Sequence, residues 1–180
     1  MAMTLLTTNT ITSSVASSTF TSGIDGTYKL YLFKFFDCHP ATNNVQWGFQ
    51  GNVAGQSGYN EVITSSGFNA EHDQSDTTAT LGYKTALDQA QGTGLQYLTR
   101  EVGNQGDEEQ AAGTLFLFNP SGTTYVKHFY CEAQSYYYAG YTMHNFIGGY
   151  FNVTGAIDEI EFKFASGNID WGNITMYGVG

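Results

Sequence analysis

Along most of the chain, apolar and polar residues alternate with a period of two, the spacing that sends successive side chains to opposite faces of a strand. The alternation is plainest over residues 158–164, where Ile160, Phe162 and Phe164 interleave with Glu159, Glu161 and Lys163. This predicts a half-buried strand with one wet face. Residues 28–36 break the rule, being apolar on both faces apart from their lysines. Such a run predicts a central strand covered on each side, and Pro40 ends it. Further strands are predicted at 45–50, with Trp47 and Phe49 on one face, and at 59–63, 80–83, 95–99, 114–119 and 123–131. Asn119-Pro120-Ser121-Gly122 is a strong turn sequence and joins the last two as a hairpin. Aromatic strands follow at 136–138 and 141–153, the second interrupted at Gly148-Gly149, where a bulge or bend is expected. Ser166-Gly167-Asn168 then turns the chain into a last strand carrying Ile174, Met176 and Val179.

Between these runs lie a flexible Gly-rich turn at 51–58, a polar stretch at 65–78 and an acidic loop at 103–113. Only residues 85–91 have a helix-friendly composition, enough for about two turns. Residues 4–18 are rich in Thr and Ser and alternate in places, which reads as an extended arm or edge strand. Its Thr4, Leu5, Leu6 and Ile11 bury little alone and are expected to order by strand addition to a neighbouring subunit. The expected fold is all-β, a two-sheet antiparallel sandwich, jelly-roll-like and closed by its C-terminal strand. The arm occupies residues 1–18 and the sandwich residues 19–180.

Composition agrees with this reading. The 180 residues suffice for one domain with a sizeable core. The abundance of glycine and aromatic residues, with only 12% charged, suits strands and turns and disfavours helices. So low a charge leaves Ser, Thr, Asn, Gln and Tyr to cover the surface, a style suited to secreted or virion surfaces and to protein–protein contacts. Net charge is −10, and the six basic residues Lys29, Lys34, Lys84, Arg100, Lys127 and Lys163 are scattered singly. A nucleic-acid groove needs them clustered, so neither nucleic acid nor an anionic membrane is an expected partner. Residues 1–18 have neither a basic start nor an apolar run, and so read as neither signal peptide nor membrane span. Cys38 and Cys131 lie in apolar runs and read as buried thiols, with a bridge between neighbouring strands as the alternative, since sequence does not fix their distance.

No constellation points to catalysis. Gly55-Gln56-Ser57-Gly58 resembles a nucleophile turn but has the wrong spacing, and the four histidines lack chelating spacing. Glu159 and Glu161 share a strand face, which a solvated face explains as well as a glycosidase pair does. Glu71, Asp73 and Asp76 around His72 offer oxygen ligands for Ca²⁺ without the order of a defined motif. Tyr136, Tyr137, Tyr138 and Tyr141 form a dense aromatic platform for either a subunit interface or a glycan. Three consecutive tyrosines in a strand cannot all face the core, so at least one points outward.

The C-terminal run Ser166-Gly167-Asn168-Ile169-Asp170-Trp171-Gly172-Asn173-Ile174-Thr175-Met176-Tyr177-Gly178 resembles the closing signature SGNID-x-G-x-I-x-LYG of a module frequent in marine tailed-phage virion proteins. Met176 stands where that signature has Leu. The likeness extends to Phe20-Thr21-Ser22-Gly23-Ile24-Asp25, Phe118-Asn119-Pro120-Ser121, Thr124-Tyr125-Val126-Lys127-His128-Phe129, Gly149-Tyr150 and Ala156-Ile157-Asp158, and so covers residues from about 15 to 180. It implies a non-enzymatic phage structural protein on the exterior of the virion, either a capsid decoration or a tail-associated subunit. Its expected partners are major capsid or tail subunits and further copies of itself, with a trimer as the natural guess. The alternative is a lectin-like host-recognition module.

Overall fold

The structure, a computed structural model, describes residues 2–137 and 139–180. The period-two patterning is realised as thirteen strands among these residues: β1 (Met3–Ile11), β2 (Ser18–Phe20), β3 (Leu30–Pro40), β4 (Val45–Val53), β5 (Ile63–Asp73), β6 (Ala79–Tyr83), β7 (Gln89–Gly92), β8 (Gln96–Val102), β9 (Ala111–Phe118), β10 (Lys127–Tyr137), β11 (Tyr141–Phe151), β12 (Ile157–Phe164) and β13 (Ile169–Val179). Nine of them form one sheet in the order β1-β13-β3-β9-β10-β11-β5-β6, with β7 also on β5. The other four form a smaller sheet in the order β2-β12-β4-β8. Every pairing between these strands is antiparallel. The fold is an all-β, two-sheet antiparallel sandwich.

The inner faces meet in an aromatic core. Tyr31, Phe33 and Phe35 of β3 lie opposite Trp47 and Phe49 of β4 and Ile160, Phe162 and Phe164 of β12, all buried. The Phe162 ring is the hub: Trp47 stacks on it at 5.9 Å, and Phe20, Phe33, Phe35 and Phe49 surround it at 5.6–6.3 Å. Each such ring pair adds about 0.5–1.5 kcal/mol beyond the area it buries. At the margin of this core Lys127 is also buried, its Nζ donating to the carbonyls of Tyr125 (2.9 Å), Thr154 (3.0 Å) and Val153 (3.3 Å).

Several expectations change. Residues 2–18 lie along their own chain: β1 runs beside β13, with Thr4 opposite Gly178, Leu5 opposite Tyr177 and Ile11 opposite Gly172. Leu6 packs against the core and Ile11 is part of it, which gives this segment an apolar anchor. The C-terminal strand, expected to close the sandwich, is an interior strand between β1 and β3 with Ile174 and Met176 fully buried. Gly167 enters it at φ +71°, and Gly178 lies so close beneath the Tyr28 ring that a Cβ would overlap it.

The polar stretch at 65–78 is mostly strand β5, and the strand expected at 59–63 begins only at Ile63. The helix expected at 85–91 is a single 3₁₀ turn, Thr85–Leu87, followed by β7. Leu87 tucks over Gly67, and Gln89 returns at once to pair with Ser65, which a two-turn helix would prevent. No bulge forms at Gly148-Gly149, because β11 keeps its register with both neighbours. Gly149 instead admits the Phe129 ring, which a Cβ would meet at 2.8 Å.

Candidate functional site

The two sheets differ in what covers their outer faces. On the small sheet the loop segments 56–61 and 93–94 lie across β4: Gln50 Nε2 donates to the carbonyls of Glu61 (3.1 Å), Thr93 (3.3 Å) and Gly94 (2.9 Å). Glu159 accepts from Asn52 Nδ2 and the Tyr59 hydroxyl, both at 3.0 Å, and Glu161 pairs with Lys163 at 2.8 Å. Burial, with the Glu159 carboxylate, pushes the Tyr59 phenol up to about 12. The face of 158–164 expected to be wet is therefore largely covered, with Glu161 buried.

The outer face of the nine-stranded sheet carries no covering layer among the described residues. Of the ten exposed large hydrophobic side chains there, eight lie on this face: Met3, Leu5, Phe36, Phe68, Leu81, Tyr83, Phe118 and Tyr130. Tyr130 is 43%, Phe68 45%, Leu5 58% and Leu81 72% exposed, and on β10 and β5 the inward neighbours Phe129, Cys131 and Asn69 are buried. Register aligns them into rows. One row runs Gly148, Tyr130, Phe116, Leu32, Tyr177 and Leu5 across six strands. The next runs Tyr83, Phe68, Phe146, Glu132, Thr114 and Lys34. Phe116 stacks on Tyr130 at 4.3 Å, Phe68 on Phe146 at 4.9 Å, and His144 on Phe146 at 4.5 Å. Between Tyr130 and the Phe68–Phe146 pair, the missing side chain of Gly148 leaves a hollow of about 300 Å³.

This face explains residues 28–36. Their apolar character on both sides is real: Tyr31, Phe33 and Phe35 face the core, and on the outer side Leu32 is also buried, while Lys34 and Phe36 face outward exposed. Charge is sparse here. Lys34 and Glu132 are exposed, and Glu132 pairs with His144 at 2.9 Å.

The tyrosine platform is divided between the faces of β10. Tyr136 lies on the outer side of the strand, Tyr137 on the inner side with Ser135, and Tyr138 lies outside the described residues. Tyr137 and Tyr141 are a cross-strand pair with rings 5.8 Å apart. Together with Met143, Glu71 and Arg100 they line a cavity of about 150 Å³ at one end of the sandwich. In it Glu71 accepts from Lys84 Nζ (2.7 Å), Asn69 Nδ2 (2.9 Å) and Arg100 Nη1 (3.5 Å). Burial acts to raise the Glu71 pKa, but these hydrogen bonds and charges outweigh it and hold the carboxyl below its ordinary value.

The three acidic candidates for Ca²⁺ are engaged separately. Glu71 faces the cavity, Asp76 pairs with His72 at 3.1 Å, and Asp73 closes its own turn. Asp73 accepts from Ser75 Oγ and Thr77 Oγ1, both at 2.5 Å, and from the amides of Thr77 (2.9 Å) and Thr78 (2.7 Å). Among the described residues no three His, Cys, Asp or Glu side chains are grouped to hold a metal ion. Cys38 and Cys131 are free and buried, and burial pushes both thiols upward. No protein-family model matches the chain, and no curated protein or solved structure matches it either.

Proposed function

We propose that the chain is a structural subunit on the exterior of a bacteriophage particle, decorating the capsid or forming part of the tail through protein–protein contacts. The observation that carries this reading is the uncovered aromatic face of the nine-stranded sheet. Contiguous exposed apolar surface of this kind marks an interaction site, and Tyr and Phe are the residues enriched at such contacts. The resemblance of residues 166–178 to the closing signature of tailed-phage virion modules supplies the setting. An acidic surface with scattered lysines favours protein neighbours, such as capsid or tail subunits, over nucleic acid. The test is electron cryomicroscopy and mass spectrometry of the particles whose genome encodes the chain. The expected result is a regular exterior array with the Tyr130–Phe116 face against a neighbour, and Phe116→Glu lost from the particles although the purified variant keeps its β-sheet circular dichroism. Absence of the wild-type chain from purified particles overturns the reading.

The cavity at Tyr137 and Tyr141 favours a second reading, a glycan-binding host-recognition module. Two rings line it together with an arginine and a carboxylate, the pairing of stacking surface with polar groups that sugars need. Saturable binding on a glycan array, abolished by Tyr137→Ala, is its expected mark, and an array without binding removes it.

A further inference from the structure

We propose that the outer face of the nine-stranded sheet is self-complementary and joins two copies of this chain face to face, about a two-fold axis running along β9. The inference rests on the reading of this face as a protein-binding surface and names its occupant.

Charge comes first. The chain has 16 acidic residues against six basic ones, so two copies repel each other over most approaches. On β9, β10, β11 and residues 30–36 of β3, the outward charged side chains are Lys34 and Glu132, one of each sign. This is a neutral face on a strongly acidic molecule, the place where like-charged copies approach at least cost.

Register makes the face match itself. Lys34, Thr114 and Glu132 stand side by side on β3, β9 and β10. A two-fold rotation about β9 exchanges the places of β3 and β10, which sets Lys34 of each copy over Glu132 of the other. The same rotation exchanges β13 with β11, because each lies two strands from β9. Tyr177 of one copy then meets the hollow at Gly148 of the other, in the row that both residues share. Phe116 lies on the axis and meets its own counterpart. An isologous interface requires this reciprocity, in which residue i meets j and j meets i.

Size is sufficient. The seven strands from β1 to β5 in sheet order, three on each side of β9, lie about 4.8 Å apart and over eight residues present a face of roughly 900 Å², enough for the ~800 Å² that each partner buries in a stable interface of standard size.

Sedimentation velocity across a concentration series tests the pairing. The wild type is expected to form a dimer. Lys34→Glu places two carboxylates together, Glu132→Lys places two ammonium groups together, and each weakens the dimer by on the order of tenfold or more. The double variant Lys34→Glu/Glu132→Lys restores the pair with its signs exchanged and regains dimerisation. Tyr130→Asp leaves a monomer whose circular dichroism and melting match the wild-type fold. A chain that stays monomeric, forms a trimer, or gains nothing from the double exchange overturns self-pairing. Failure here and failure of the virion reading are separable. A monomer found in particles with this face buried overturns only the dimer, and a dimer absent from particles overturns only the virion role.

Discussion

Lys127 shows how a single side chain departs from the pattern that surrounds it. It shares the inner face of β10 with Phe129 and Cys131, a position that alternation assigns to an apolar residue. It stays there because its ammonium group is the common donor to three loop carbonyls, from Tyr125, Val153 and Thr154. Lys127→Met keeps the stem and orphans those carbonyls, so urea unfolding is expected to show a loss of about 1–3 kcal/mol. Lys127→Ala adds a cavity and should cost more. A Met variant as stable as the wild type would mean that water serves the carbonyls equally well. The sequence placed Lys127 in an apolar run but held no sign of its acceptors, which come from distant loops. Tyr136 and Tyr137 were more legible: strict alternation along a strand demands that they part to opposite faces, as they do.

At the scale of elements, β5 and its following turn were the least legible part of the fold. The inward positions Ser65, Asn69, Glu71 and Asp73 are polar, so the period of two is present but invisible to a hydrophobicity pattern. The partners of Ser65 and Glu71, which are Gln96, Lys84 and Arg100, sit on other strands or beyond them, and nothing local announces them. The turn is held by Asp73, whose carboxyl is kept well below the ordinary Asp value of about 3.9 by hydrogen bonds from Ser75, Thr77 and Thr78. A folded pKa depressed in this way gives stability that is fully present above the unfolded value and lost as pH falls below it. Asp73→Asn should therefore destabilise the chain at neutral pH, with the gap from the wild type closing as the solution is taken below pH ~4. Paired urea titrations at neutral and acid pH measure it, and a gap independent of pH would assign the turn's stability to other contacts.

For the whole molecule, the sandwich architecture was readable because alternation, turn chemistry and aromatic content all point to packed sheets. The candidate face was half readable. Residues 28–36 announced two apolar sides, but a sequence does not say whether the cover for the second belongs to the same chain. Among the described residues β1 pairs with one strand, β13, and Thr8 meets Thr175 across 167 residues of sequence. The amide of Ala2 donates to the carbonyl of Gly180 at 3.0 Å, so the pairing extends to the last residue described. During synthesis, then, β1 leaves the ribosome ahead of the other twelve strands and has no strand to pair with until β13 has followed. Contacts so distant in sequence form slowly, and a strand kept waiting is a hazard if it is sticky. Thr4, Thr7, Thr8, Asn9 and Thr10 make this one a poor seed for aggregation, which gives the Thr-rich segment a use on the growing chain as well as in the finished sheet.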